Sequence, residues 1–126
     1  MVEFAVILPV LAFVLFAILQ FGITLNNYVT LTSAVRDGAR KGSVNRTAAD
    51  PITLTKNAVE ASAVNLDQSS SNCSISLCVT VTPSAVSGWL PGADLTVTAT
   101  YPYSISLFGL VVKSGNLSST VTERLE

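Results

Sequence analysis

Glu3 is the first residue whose chemistry demands an explanation. It stands in MVEFAVILPV, at the threshold of a run from Phe4 to Leu19 without a polar side chain. A carboxylate close to hydrocarbon costs about 2.5 kcal/mol or more unless it reaches water or a partner. At the edge of the run Glu3 can snorkel to water. Otherwise it pairs with a cation from a neighbour, and the nearest cation in any copy is the α-amino group of Met1.

Other reactive groups are sparse. The chain has no histidine, which removes the commonest general base and metal ligand. Cys73 and Cys78 are too few for a four-ligand zinc site, and their spacing is not that of a redox C-x-x-C pair. In a straight strand, residues five apart lie about 17 Å from each other on opposite faces. A disulfide needs Cα atoms within about 7 Å. Three arrangements are therefore open: the pair bridges across a turn, both thiols are free, or Cys73 lies outside the strand. A secreted location favours the bridge.

The eight Asp and Glu form no paired motif, and nothing resembles a nucleophile elbow or a phosphate loop. Neither an enzyme nor a cofactor is expected. The net charge of -1 and scattered Lys and Arg give no nucleic-acid footprint. Asn45, Asn72 and Asn116 open N-x-[ST] triplets, which mark surface loops more reliably than glycans.

The elements that carry these residues fall into two parts. At 126 residues the chain suits one domain plus an anchor. It is 49% apolar and 12% charged, with mean hydropathy +0.55, and the apolar excess is concentrated near the N-terminus. Phe4 to Ile23 supplies twenty residues, counting Gln20 and Gly22, enough to cross about 30 Å of hydrocarbon. A cleaved signal peptide fits poorly, because the preceding residues lack Lys or Arg and no A-x-A step follows. Pro9 removes a backbone donor and is expected to open the helix locally.

The helix is expected to continue through TLNNYVTLTSAVRDGARKG. Leu25, Tyr28, Val29, Leu31, Val35 and Ala39 are spaced for one helical face. Gly42 is a plausible C′ residue after Arg36, Arg40 and Lys41. Residues 1–42 thus form one long helix, with a membrane or filament-core half over 1–23 and an amphipathic half over 24–42.

Residues 43–126 read as a small extracytoplasmic α+β domain. Asp50 and Pro51 suit the N-cap and first position of a second helix reaching about Leu66. Thr- and Val-rich alternation follows at Ser74–Thr82 and Asp94–Ser104, and less cleanly in NLSSTVTERL. An antiparallel sheet of about three strands is expected, with turns at VSGWLPGA and VVKSGN. ISLFGLVV is apolar and ambiguous: a loop packing under the helix, or an exposed contact patch. The long helix packed along the sheet would supply the apolar partner that so small a core needs.

VEFAVILPVLAFVLFAILQFG and LTSAVRDGAR together resemble the N-terminal region of TadE-like proteins, pilin-like components of tight-adherence (Flp-type) pilus systems. The resemblance rests on Glu3-Phe4-Ala5, Leu8-Pro9, Phe21-Gly22 and Arg36-Asp37-Gly38-Ala39-Arg40. It covers about the first 42 residues. An acid before an apolar helix is also similar to the type IV pilin signal, although Glu3 lies closer to the N-terminus than the acid of those proteins.

That resemblance implies a pilin-like fold, processing by a prepilin peptidase, and an assembly platform as partner. With no basic leader before Glu3, the chain is expected to be the mature form. The implied assembly residues are Met1, Glu3, Phe4, Pro9, Phe13, Phe16, Gln20, Phe21 and Gly22.

The expected function is a structural pilin that polymerises through its N-terminal helix into an extracellular type IV-like filament. Its partners would be identical subunits, and the cytoplasmic or inner membrane before assembly. The alternative is a minor pseudopilin or a membrane-anchored assembly factor.

Overall fold

A computed structural model describes residues 2–84, 89–107 and 109–126, with only the backbone of Val2. Helix α1 spans Val2–Val44, and α2 spans Pro51–Ser62. Strands β1 (Cys78–Pro83), β2 (Asp94–Leu107) and β3 (Leu110–Arg124) form one antiparallel sheet in the order β1-β2-β3. The architecture is α+β, as the sequence predicts.

At 43 residues, α1 is about 65 Å long at 1.5 Å per residue. It runs unbroken through Pro9, whose missing N–H leaves the Ala5 carbonyl without a helical partner. It also passes through Gly42 rather than ending before it. Asn45 closes the C-terminus, donating from both its backbone N (3.1 Å) and its Nδ2 (2.9 Å) to the Lys41 carbonyl.

The inner face of α1 keeps Leu31, Val35 and Ala39 of the face spaced out in the sequence but not its N-terminal part. Leu31, Ala34, Val35 and Ala39 are fully buried, but Leu25, Tyr28 and Val29 are exposed, Val29 to 61%. The cause is where α2 crosses. Gly38 and Gly42 let α2 approach closely: a β-carbon at Gly38 would overlap Val59 Cγ2, and one at Gly42 would lie 2.5 Å from Thr55 Oγ1, as well as 2.7 Å from Leu95 Cδ2 of β2. Ala34, Gly38 and Gly42 form a stripe of small residues four apart, one above the other on the helix.

Asp50 caps α2 as expected. It accepts from Thr53 N (3.1 Å) and Thr53 Oγ1 (2.6 Å), and Pro51 occupies the start of the helix. These hydrogen bonds to the ionised carboxylate hold the Asp50 pKa below the usual Asp value, the Thr53 side-chain bond foremost. The helix ends at Ser62, short of Leu66, where Gln68 Nε2 donates to the Glu60 and Ala63 carbonyls (2.8 and 2.9 Å). Leu66 still reaches the core from the following turn.

The sheet obeys the period of two. Leu95, Val97 and Ala99 point inward, and Val81, Val97 and Val121 pair across the three strands. On the outer face, hydroxyls of Thr96 and Thr122 (3.1 Å) and of Thr98 and Thr120 (3.0 Å) share hydrogen bonds.

Two expectations about β3 need correction. VVKSGN is not a turn but part of β3, and of the two readings of ISLFGLVV the loop beneath the helix fails, while Leu110–Val112 are exposed. β2 and β3 instead continue into a long hairpin whose described tip includes Gly109, at φ +84°. Gly115 lies in register with Tyr103, and a β-carbon there would stand 3.1 Å from the ring. The glycine thus makes room for an aromatic, not for a bend. Of VSGWLPGA, residues 86–88 lie outside the described residues. Gly92 (φ +79°) takes the turn at its far end and donates to the Leu125 carbonyl (2.8 Å).

Candidate assembly surface

Three features could do work: the bare half of α1, the β2–β3 hairpin beside it, and the disulfide turn. The first is the largest. None of the most apolar eighteen-residue stretch of α1 is buried within the chain, and the helix is long and apolar enough to cross a membrane. Phe4 is 78% exposed, and apolar exposure continues through Phe21, Ile23, Leu25 and Val29. A helix apolar on all sides is stable only in hydrocarbon or among other helices.

Among the assembly residues named from the sequence, Glu3 lies in the first turn of α1 and is exposed. An acid there complements the helix dipole. Met1 lies outside the described residues, so its contact with Glu3 does too. Phe13, Phe16, Phe21 and Gly22 lie in the apolar half of the helix, with Phe13 and Phe16 each about half exposed. A β-carbon at Gly22 would meet nothing within 4 Å.

The second feature is where Phe16 and Gln20 meet other parts of the chain. With Ser106 and Leu107 they line a crevice between α1 and the end of β2. β1 pairs only with Leu95–Thr100, so β2 beyond Thr100 pairs with β3 alone. This two-stranded arm follows α1 into its apolar half. Its strongest sequence signal is the uncharged ISLFGLVV; alternation alone cannot reveal where an arm lies.

In the disulfide turn, Cys73 lies outside the strand, Cys78 opens β1, and the two are bridged with Cα atoms 5.0 Å apart. The Asn72 carbonyl accepts from Ile75 N (3.1 Å) and Ser76 N (3.2 Å), and Asn72 Oδ1 accepts from Ser74 N (3.0 Å). Ser74–Leu77, expected as strand, is therefore folded back on itself. Asn72 and Asn45 are exposed outside strands, whereas Asn116 is exposed within β3 rather than in a loop.

The disulfide turn and the small-residue crossing hold the fold together. Among the described residues there is no group of three or more His, Cys, Asp or Glu that could hold a metal ion. The remaining asset is a largely exposed apolar helix with an acid at its head.

Residues 1–40 match the family model of the TadE-like protein. The TadE-like match covers almost all of α1 and none of α2 or the sheet. No curated protein and no solved structure matches the chain. A TadE-like segment on a helix able to cross a membrane fits a membrane-anchored, pilus-associated protein. The Arg36–Arg40 stretch of this segment holds Gly38 and Ala39, which pack on the rest of the chain, while Arg36, Asp37 and Arg40 face outward.

Proposed function

We propose that the chain is a structural pilin subunit that polymerises through α1 into an extracellular Tad-type filament. The observation that carries this reading is the exposure of the apolar half of α1, whose most apolar eighteen-residue stretch has no buried residue. Before assembly, lipid surrounds that half; in the filament, the same half-helices of other copies do. Residues 43–126 form the extracytoplasmic domain on the filament surface. Burying on the order of 1,500 Å² per copy is worth tens of kcal/mol gross relative to water, at about 25 cal/mol per Å². Lipid already supplies an apolar medium, so transfer into the bundle depends on packing and polar pairing between helices.

Two residues give that packing its register. Glu3 neutralises the N-terminal amine of a neighbouring copy. Gly22 is left bare by its own chain, and a neighbouring helix uses the close approach it permits. A prepilin peptidase and an assembly platform act on the subunit before it leaves the membrane.

The TadE-like match favours a second reading, a minor pseudopilin or membrane-anchored assembly factor at the tip or base, because proteins it resembles often serve as minor components. The stoichiometry of filaments sheared from cells separates the two. This polypeptide as the predominant protein supports the structural pilin, trace amounts support the minor role, and its absence from sheared pili defeats the filament reading.

A further inference from the structure

We propose that the tip of the β2–β3 hairpin is a second membrane-contacting element, which dips into the outer part of the bilayer beside α1. This rests on the reading that α1 sits in the membrane before assembly. The occupant of the tip surface is lipid.

Level is the first argument. Leu107 and Ser106 line a crevice with Phe16 and Gln20 of α1. Those two helix residues lie seven and three positions before Ile23, the end of the apolar run. At 1.5 Å per residue, the crevice is about 5–10 Å below the end of that run. A span that fills the hydrocarbon therefore carries the tip below the headgroups. Monotopic elements insert to a similar depth.

Charge and length are the second. No residue from Leu95 through Val112 is charged, and Lys113 is the first charge on the return strand. Lys113 is exposed and in register with Ile105. From Lys113 to Leu110 the strand advances about 10 Å at 3.4 Å per residue. With the Lys113 ammonium among the headgroups, the uncharged tip reaches the depth at which α1 meets Leu107.

Exposure on both faces is the third, and it selects lipid over a protein surface. Leu110, Val111 and Val112 are consecutive and exposed to 76%, 64% and 63%. Successive strand residues point to opposite faces, so the tip is apolar on both. A second copy docking on the sheet would cover one face and leave the other in water. Hydrocarbon covers both. The two strands pair with each other out to Leu107–Leu110, so only the few edge groups of a short tip lie unpaired, near the wet boundary of the bilayer.

The test exploits the cysteines. Both are tied in the disulfide, so one added cysteine is a unique labelling site on the oxidised full chain. Leu110→Cys reports on the tip, Phe21→Cys on the helix and Ser118→Cys on the exposed sheet. Each variant carries an environment-sensitive fluorophore in phosphatidylcholine vesicles. Quenching is measured with nitroxide-bearing acyl chains and with aqueous iodide.

The expected result is blue-shifted emission and strong nitroxide quenching at positions 110 and 21, with iodide quenching at 118. A water-like label at 110 beside a lipid-quenched label at 21 overturns the tip proposal alone. A water-like label at 21 overturns the membrane reading with it. A blue shift at 110 without nitroxide quenching assigns the tip to a second copy and also overturns the proposal.

Discussion

Gly38 of α1 and Val59 of α2 stand so close that a β-carbon on the glycine would overlap the valine Cγ2. The Thr55 carbonyl would lie 3.3 Å from that same atom, and Val59 is fully buried. Neither neighbour has room to yield, because one is backbone and the other a β-branched side chain with a stiff χ1. This contact sets the distance at which α2 crosses the long helix.

Gly38→Ala should therefore destabilise the domain by about 1–3 kcal/mol through overpacking. The better helix propensity of alanine, worth about 1 kcal/mol, opposes this without cancelling it. Chemical denaturation of the full chain in detergent, followed by the fluorescence of Trp89, measures the difference. Val59→Ala combined with Gly38→Ala should recover part of the loss, a coupling expected of residues in contact. A Gly38→Ala variant as stable as the parent would show that the crossing is loose.

The bridge from Cys73 to Cys78 closes a short loop. In the chain-entropy account, so short a loop contributes about 2 kcal/mol. Cys73→Ser with Cys78→Ser should lower stability by about that amount. The loss should be local: amide exchange should accelerate at Ile75 and Ser76, which donate to the Asn72 carbonyl, while Val97 and Ala99 stay protected. Uniform acceleration across β2 would mean that the bridge supports the whole sheet.

Asp50 couples α2 to pH. Its folded-state pKa is lowered by the Thr53 side-chain hydrogen bond first and the Thr53 backbone bond next. A depressed carboxyl pKa contributes stability above the unfolded value of about 3.9, and that contribution is lost as pH falls through the lower folded value. Asp50→Asn retains a cap but has no proton to gain. The parent should be the more stable at neutral pH, and the two should converge on acidification below about pH 4. Parallel curves would show that the Asp50 charge contributes nothing.

Glu3 tests assembly apart from folding. It is exposed, at the end of α1 remote from the sheet, so Glu3→Gln should leave the monomer folded and membrane-inserted. Filament yield should fall because the amine of a neighbour loses its counter-charge in a low-dielectric bundle, where such pairing matters more than in water. Quantifying sheared filaments against membrane-held subunit measures this, and normal yield would remove Glu3 from the assembly reading.

Much of the architecture can be read from short stretches of residues. The apolar run from Phe4 demands an environment without water whatever surrounds it. Asp50-Pro51 starts α2 by local hydrogen bonding and a preset φ. Alternation from Asp94 to Thr100 makes a half-buried strand because neighbouring side chains on a strand must face opposite ways. The acid before the apolar run is also a local fact.

Relations between distant segments were settled only by the tertiary structure. Helical spacing offers Leu25, Tyr28, Val29, Leu31, Val35 and Ala39 as one inner face, but packing buries only Leu31, Val35 and Ala39 of these, adds Ala34, and leaves Leu25, Tyr28 and Val29 exposed. VVKSGN carries turn residues, yet pairing with β2 makes it strand, and Gly115 accommodates the Tyr103 ring. The two cysteines were compatible with three arrangements until Ser74–Leu77 folded back to bring their Cα atoms to 5.0 Å. Sequence by itself determined the local preferences for helix and strand and the need for an apolar environment. Which faces meet, and where the hairpin lies along the helix, depend on packing and strand register, which only the folded chain brings into being.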